Sequence, residues 1–228
     1  MDFRVKTIRP APYQETYDAM REFTAARTLE TPDEIWLCEH FPVYTLGLAG
    51  KPEHVLAPHD IPVVHTNRGG QVTYHGPGQV VAYVLLDMRR RDYFIRDYVR
   101  RLEQAVIGTL ADFGVNGFLV PGAPGVYVHT QAVAGQPDTL PLPAGDPKNP
   151  DFTGLAKISA LGVKLSSHCT YHGIALNVKM DLQPFEWINP CGYANLKTTD
   201  LFTMGVPINE HSWEQVATRL SEQLACAL

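Results

Sequence analysis

The stretch Arg68-Gly69-Gly70-Gln71-Val72-Thr73-Tyr74-His75-Gly76-Pro77-Gly78-Gln79 constrains this chain most, because it runs straight into the apolar run Val80-Val81-Ala82-Tyr83-Val84-Leu85-Leu86. Glycine admits positive φ and lets a second group approach the main chain closely. A loop of this kind feeding a buried strand places donors and a titratable ring at one spot. A glycine-rich hairpin with polar decoration is one reading of the residues. The concentration of Arg, Thr, Tyr, His and Gln favours the other, a binding loop held by a rigid strand.

Length and charge narrow the function classes. The chain has 228 residues, 45% of them hydrophobic, which suits one large globular domain spanning 1–228. A formal charge of −5 supplies no global basic field, so no nucleic-acid partner is expected. The N-terminal Met1-Asp2-Phe3-Arg4-Val5-Lys6 has no apolar core of a secretory signal. The longest apolar run is too short to span a bilayer, so no membrane partner is expected. Cys38, Cys169, Cys191 and Cys226 lie far apart without a CxxC, which points to reduced thiols and a cytoplasmic protein.

Periodicity sketches the rest. Tyr13, Tyr17, Met20 and Thr24 predict a helix through Gln14 to Arg27, and Glu34 to Glu39 reads as a strand. Cys38, alternating with Trp36 there, reads as a small buried hydrophobe. Short strands follow after His40 and at Val63-Val64-His65. Tyr98, Leu102, Ala105, Val106 and Leu110 form the stripe of a long helix from about Tyr93 to Phe113, with Gly114 as its stop. Arg89, Arg90, Arg91, Arg96, Arg100 and Arg101 lie at or before its first half, either as a solvated face or as a dock for an acidic partner. Val115 to Val128 predicts a hairpin, and 134–154, with five prolines and three glycines, a long surface loop. Leu155 to Leu165 reads as strands about a turn at Gly162, and Tyr171 to Val178 as another strand. Trp213, Val216, Ala217, Leu220 and Leu224 define a closing helix, with Ser212 and Gln215 at capping-box spacing.

Local pattern alone makes Lys157 an exposed strand lysine. Cys191 sits in a tight Pro-Cys-Gly turn, which exposes a thiol where a strand would bury it. His168, Cys169 and His172 lack a fourth ligand at suitable spacing, so no metal is expected.

Four motifs occur together: residues 68–79, Ala156-Lys157-Ile158, His172-Gly173-Ile174-Ala175-Leu176-Asn177-Val178 and Ile188-Asn189-Pro190-Cys191-Gly192. With Pro42-Val43-Tyr44-Thr45-Leu46-Gly47 they resemble, in order and over nearly the whole chain, the lipoyl(octanoyl) transferases. That resemblance implies an α/β (α+β) fold, a mixed β-sheet flanked by helices, shared with biotin and lipoate protein ligases. It implies transfer of an octanoyl or lipoyl group from acyl carrier protein to a lysine of lipoyl domains in 2-oxoacid dehydrogenases or the glycine cleavage H protein, the first step of endogenous protein lipoylation. By position, Cys191 matches the acyl-thioester nucleophile and Lys157 its partner. Arg68, Gly69, Gly70, Gln71, Val72, Thr73, Tyr74, His75, Ala160, Leu161, Gly162, Gly173, Ile174 and Ala175 match acyl-substrate contacts. The Pro-rich insertion at 134–154 is longer than the family usually carries.

The chemistry follows from the groups themselves. A free thiol has a pKa of about 8.5, and a nearby ammonium favours the thiolate. Lys157 can instead serve as a neutral base if burial lowers its own pKa; the sequence leaves both microstates open. Exchange of one thioester for another needs neither ATP nor a metal. Three other classes fit parts of the pattern: an ATP-dependent lipoate–protein ligase, a Cys–His hydrolase using His75 or His172, and a lipoyl-domain binding module in which Cys191 is dispensable.

Overall fold

The computed structural model describes residues 3–142, 146–190, 193 and 196–228. In chain order the elements are β1 (Arg4–Ala11), α1 (Tyr13–Ala25), β2 (Glu34–His40), β3 (Val43–Leu46), β4 (Val63–His65), β5 (Val72–His75), β6 (Gln79–Leu85), α2 (Ile95–Asp112), β7 (Phe118–Val120), β8 (Ala123–His129), β9 (Leu155–Ser166), β10 (Cys169–Asn177), α3 (Gln183–Glu186) and α4 (Ser212–Ala227). A seven-stranded sheet has the order β1-β2-β6-β10-β9-β8-β7, and a three-stranded sheet the order β4-β3-β5. Both are mixed: β1/β2 and β3/β4 are parallel, and the other pairs are antiparallel.

The apolar run 80–86 explains why the large sheet is covered on both faces. Successive strand side chains point to opposite sides. Val80, Ala82 and Val84 of β6 join Tyr98, Leu102 and Leu110 of α2 and Trp213, Val216 and Leu220 of α4 in one core. Val81, Tyr83 and Leu85 face the other way and pack with Tyr13, Tyr17 and Met20 of α1. The fold is therefore mixed sheets flanked by helices.

Several local expectations change. The alternative of a glycine-rich hairpin at 68–79, not favoured by the sequence, is not realised: β5 pairs with β3 in the small sheet, whereas β6 lies between β2 and β10 in the large one. Gly162 is not a turn either, since β9 runs unbroken through it with Gly162 opposite Gly173. A Cβ at Gly162 would lie 2.8 Å from the Gly69 carbonyl and 3.1 Å from Arg68 Cδ, so this glycine permits close approach of the 68–70 loop. β1 was not legible because its side chains are mostly exposed at the sheet edge. At α4, Ser212 Oγ accepts the Asn209 amide instead of closing a capping box.

The arginine cluster divides. Arg89 pairs with Asp87 at 2.6 Å, while Arg90 and Arg91 reach Asp33 at 3.4 and 3.1 Å. Arg101 donates to the Ala227 carbonyl at 2.6 Å. These four tie elements together, and Arg96 and Arg100 remain exposed. Within 134–154 no helix or strand occurs among the described residues; Asp138 fastens the segment to His129 Nδ1 at 2.7 Å. No helix among the described residues is long and apolar enough to cross a membrane.

Candidate active site

A cavity opens between the large sheet and the 68–75 segment. Its walls include Arg68, Gly70, Gln71, Val72, Thr73 and His75 from the loop and β5, Ala160, Leu161 and Gly162 from β9, and Gly173, Ile174 and Ala175 from β10. Three chain segments singled out in the sequence thus meet at one place. Gly69 and Tyr74 do not line it. The Gly69 amide donates to the Val163 carbonyl at 2.9 Å, and Tyr74 packs between Tyr44 and Phe185. Tyr13, Val81, Tyr83 and His172 complete the lining and were not assigned there by sequence. Tyr13 arrives only through the packing of α1 on β6; the alternation of 80–86 could have pointed to Val81 and Tyr83 as a pair.

Arg68 shapes the loop from within. Its guanidinium donates to the Thr45 carbonyl at 2.6 Å, to the Gln71 carbonyl at 2.8 Å and to the Gly69 carbonyl at 2.9 Å, while Nε and Nη2 reach Thr45 Oγ1. A buried fork with carbonyl partners braces the loop against β3.

Three histidines gather beside this wall, and their partners set their tautomers. His40 Nδ1 donates to the Ala11 carbonyl at 2.7 Å, which leaves Nε2 to accept from Tyr83 Oη at 2.7 Å. The Gln79 amide donates to Asn177 Oδ1, so Gln79 Oε1 accepts from His75 Nδ1 at 2.7 Å. His172 Nε2 donates to Asn67 Oδ1 at 3.2 Å, and its Nδ1 has no hydrogen-bond partner among the described residues. Burial lowers His40 to about 4. Burial and the neighbouring His40 take His75 to about 3, and burial with the Arg68 charge takes His172 to about 3. All three are neutral near pH 7, so the cavity wall carries little charge beyond Arg68.

Lys157 lies farther along β9, five residues before Gly162, or about 16 Å by strand rise. It is only 4% exposed, contrary to the local expectation of a surface lysine. The returning chain covers it: the Lys157 amide donates to the Lys197 carbonyl at 2.8 Å, and the Thr199 amide to the Lys157 carbonyl at 3.0 Å. Its Nζ donates to the Pro124 carbonyl at 2.8 Å and stands 5.3 Å from the Tyr127 ring. A smaller cavity joins Lys157 to Val72, Thr73 and Ala160 of the long cavity and to Pro190. Cys191 and Gly192, next in sequence, lie outside the described residues. Cys38 and Cys169 are buried with thiols raised by desolvation, Cys38 to about 12. Among the described residues no cluster of three or more His, Cys, Asp or Glu could hold a metal ion.

This architecture defines a class: a mixed-sheet α/β protein with an apolar cavity leading to a buried lysine. The bi-partite lipoate protein ligase of Thermoplasma acidophilum shares the fold, with a TM-score of 0.70 at 15% identity over 99% of this chain and 84% of that one. The sequence pattern of the lipoyl protein ligase A/B catalytic domain matches residues 12–225. Octanoyltransferase from Albidiferax ferrireducens is 59% identical, over 98% of this chain and 96% of the relative. Octanoyltransferase from Polaromonas naphthalenivorans is 56% identical, over 100% and 99%. The chain belongs to the octanoyltransferase family within the lipoyl protein ligase A/B catalytic domain.

Proposed function

We propose that this acyltransferase takes an octanoyl or lipoyl group from acyl carrier protein and delivers it to a lysine of lipoyl domains, through a thioester on Cys191. The observation that carries this reading is the burial of Lys157 where the apolar cavity meets Pro190, one residue before the cysteine. The Cys191 thiolate attacks the carrier thioester carbonyl; a new C–S bond forms, the bond to the carrier sulfur breaks, and the departing thiolate takes a proton from the Lys157 ammonium, leaving Lys157 neutral. The amine of the acceptor lysine then attacks the acyl-enzyme. A C–N bond forms, the bond to Cys191 Sγ breaks, and the amine proton passes to Lys157 or to the departing thiolate. An ammonium at Lys157 favours the thiolate before the first attack, and each pKa unit so gained corresponds to about 1.4 kcal/mol. The acyl tail extends along β9 and β10 toward Gly162 and Gly173, beside the neutral histidines.

The donor is already a thioester, so neither ATP nor a metal enters the scheme, and the reaction belongs in the cytoplasm, where both protein substrates would be reduced and soluble. A hydrolase using His75 or His172 fits less well, since neither ring lies among the residues around Lys157 and Pro190 and both resist protonation near neutral pH. The test is a reaction of purified octanoyl-acyl carrier protein with an unmodified lipoyl domain, without nucleotide. An octanoylated lipoyl domain is expected from the native chain and none from Cys191→Ser. Modification that requires free octanoate and ATP would make the chain a ligase.

A further inference from the structure

Lys157 Nζ donates to the carbonyl of Pro124, and the amide of the same peptide bond, Gly125 N–H, donates to Glu103 Oε1 at 2.9 Å. One peptide group therefore bridges a carboxylate and an ammonium. The bridge crosses the large sheet. Glu103 stands on α2, which covers one face; Lys157 alternates with Ile158, which packs with α2, and so points to the cavity face. Two local features make this possible. The β7/β8 register shifts between the Phe118–Tyr127 and Val120–Ala123 pairs, where β8 carries two more residues than β7, and the Pro124–Gly125 peptide lies in that irregularity. Gly125 has a φ of +122°, and a Cβ there would lie 2.5 Å from Lys157 Cε. Only glycine lets the lysine come so close.

We propose that Glu103 is a positioning residue for Lys157, its carboxylate holding the lysine ammonium in place and favouring its charged form through the Pro124–Gly125 peptide. The inference rests on the reading of Lys157 as the partner of Cys191. A peptide whose N–H faces a carboxylate presents a more negative carbonyl, because hydrogen bonds in a chain polarise one another. Burial raises the Glu103 carboxyl, while the Gly125 amide, Lys157 and Arg100 each oppose that rise. Among the described residues the other ionisable groups facing the pair are Arg100 on α2 and Tyr127 on β8. Neither is a second carboxylate.

The experiment follows the Lys157 side-chain resonance and the Gly125 amide resonance against pH by NMR, in the native chain and in Glu103→Gln and Glu103→Asp. Glutamine can still accept from Gly125 but carries no charge, so the Lys157 midpoint is expected to fall by about one pH unit, a tenfold change in proton affinity. Aspartate keeps the charge and is expected to hold the midpoint nearer the native value. In the unmutated chain the Gly125 amide should move with the same inflection as Lys157, which tests the bridge even if a variant folds poorly. An unchanged Lys157 midpoint in Glu103→Gln, or a Gly125 resonance indifferent to the Lys157 titration, overturns the proposal. Lys157→Ala separates the two levels. If it transfers octanoyl at the native rate, the catalytic reading of Lys157 falls while the coupling can still be seen; if it is inactive and the midpoint does not move, only the coupling falls.

Discussion

Lowering the pH from 7 to 5 should destabilise this fold through its three buried histidines. His40, His75 and His172 have folded values of about 4, 3 and 3, against an ordinary value of 6.5. Between the folded and unfolded values the unfolded chain binds a proton that the folded chain refuses, so stability falls as pH falls. At pH 5 each folded value lies a unit or more below the solution pH. The penalty is then set almost wholly by the unfolded state, at about 2 kcal/mol per histidine. Three such groups give about 6 kcal/mol, a large share of the roughly 5–15 kcal/mol that holds a typical domain together. The assay is urea unfolding at pH 7, 6 and 5 in the native chain and in His172→Asn, asparagine being tolerant of the left-handed backbone at this position, where φ is +61°. The native chain should show a slope approaching three protons, and the variant about one proton less. A native slope below one proton would refute the neutral, buried assignment of the cluster.

Three further outcomes follow from the same geometry. Lys157→Ala should slow acylation and raise the pH midpoint of Cys191 alkylation; an unmoved midpoint would mean that the lysine does not tune the thiol. Gly162→Ala, whose new methyl would press on the Gly69 carbonyl, should cost about 1–3 kcal/mol in thermal or urea unfolding and raise KM for an octanoyl donor more than for a butyryl donor. Arg96→Glu should raise KM for octanoyl-acyl carrier protein but not for a small octanoyl thioester, and the difference should shrink with salt, which shortens screening to about 10 Å at 0.1 M. Arg96 is the cleaner choice because Arg100 also acts on Glu103.

Much of the fold could be read from periodicity. The stripes of α1, α2 and α4 and the continuous run of β6 report burial directly, and the structure buries them. What escaped depends on partners distant in sequence. Gly162 looks like a turn until the 68–70 loop is laid over it, and Lys157 looks exposed until residues 196–199 return across β9. Arg90 and Arg91 look like part of a solvated or docking cluster until Asp33 arrives from the end of another strand. The cavity was half legible: its glycine-bearing strands stood out as motifs, but Tyr13 enters it only because α1 packs on that face. Glu103 gave no signal, since a glutamate on a helix acquires meaning only from the peptide it meets across the sheet.

The covalent intermediate is the centre of the account, and intact-mass measurement reaches it most directly. Mixing the purified chain with octanoyl-acyl carrier protein, with no nucleotide and no acceptor, should add one octanoyl group, located by peptide mapping at Cys191. The adduct should be lost on adding a lipoyl domain and absent from Cys191→Ser. An unmodified native chain that nonetheless octanoylates the lipoyl domain, or an adduct on any residue other than Cys191, would contradict the mechanism.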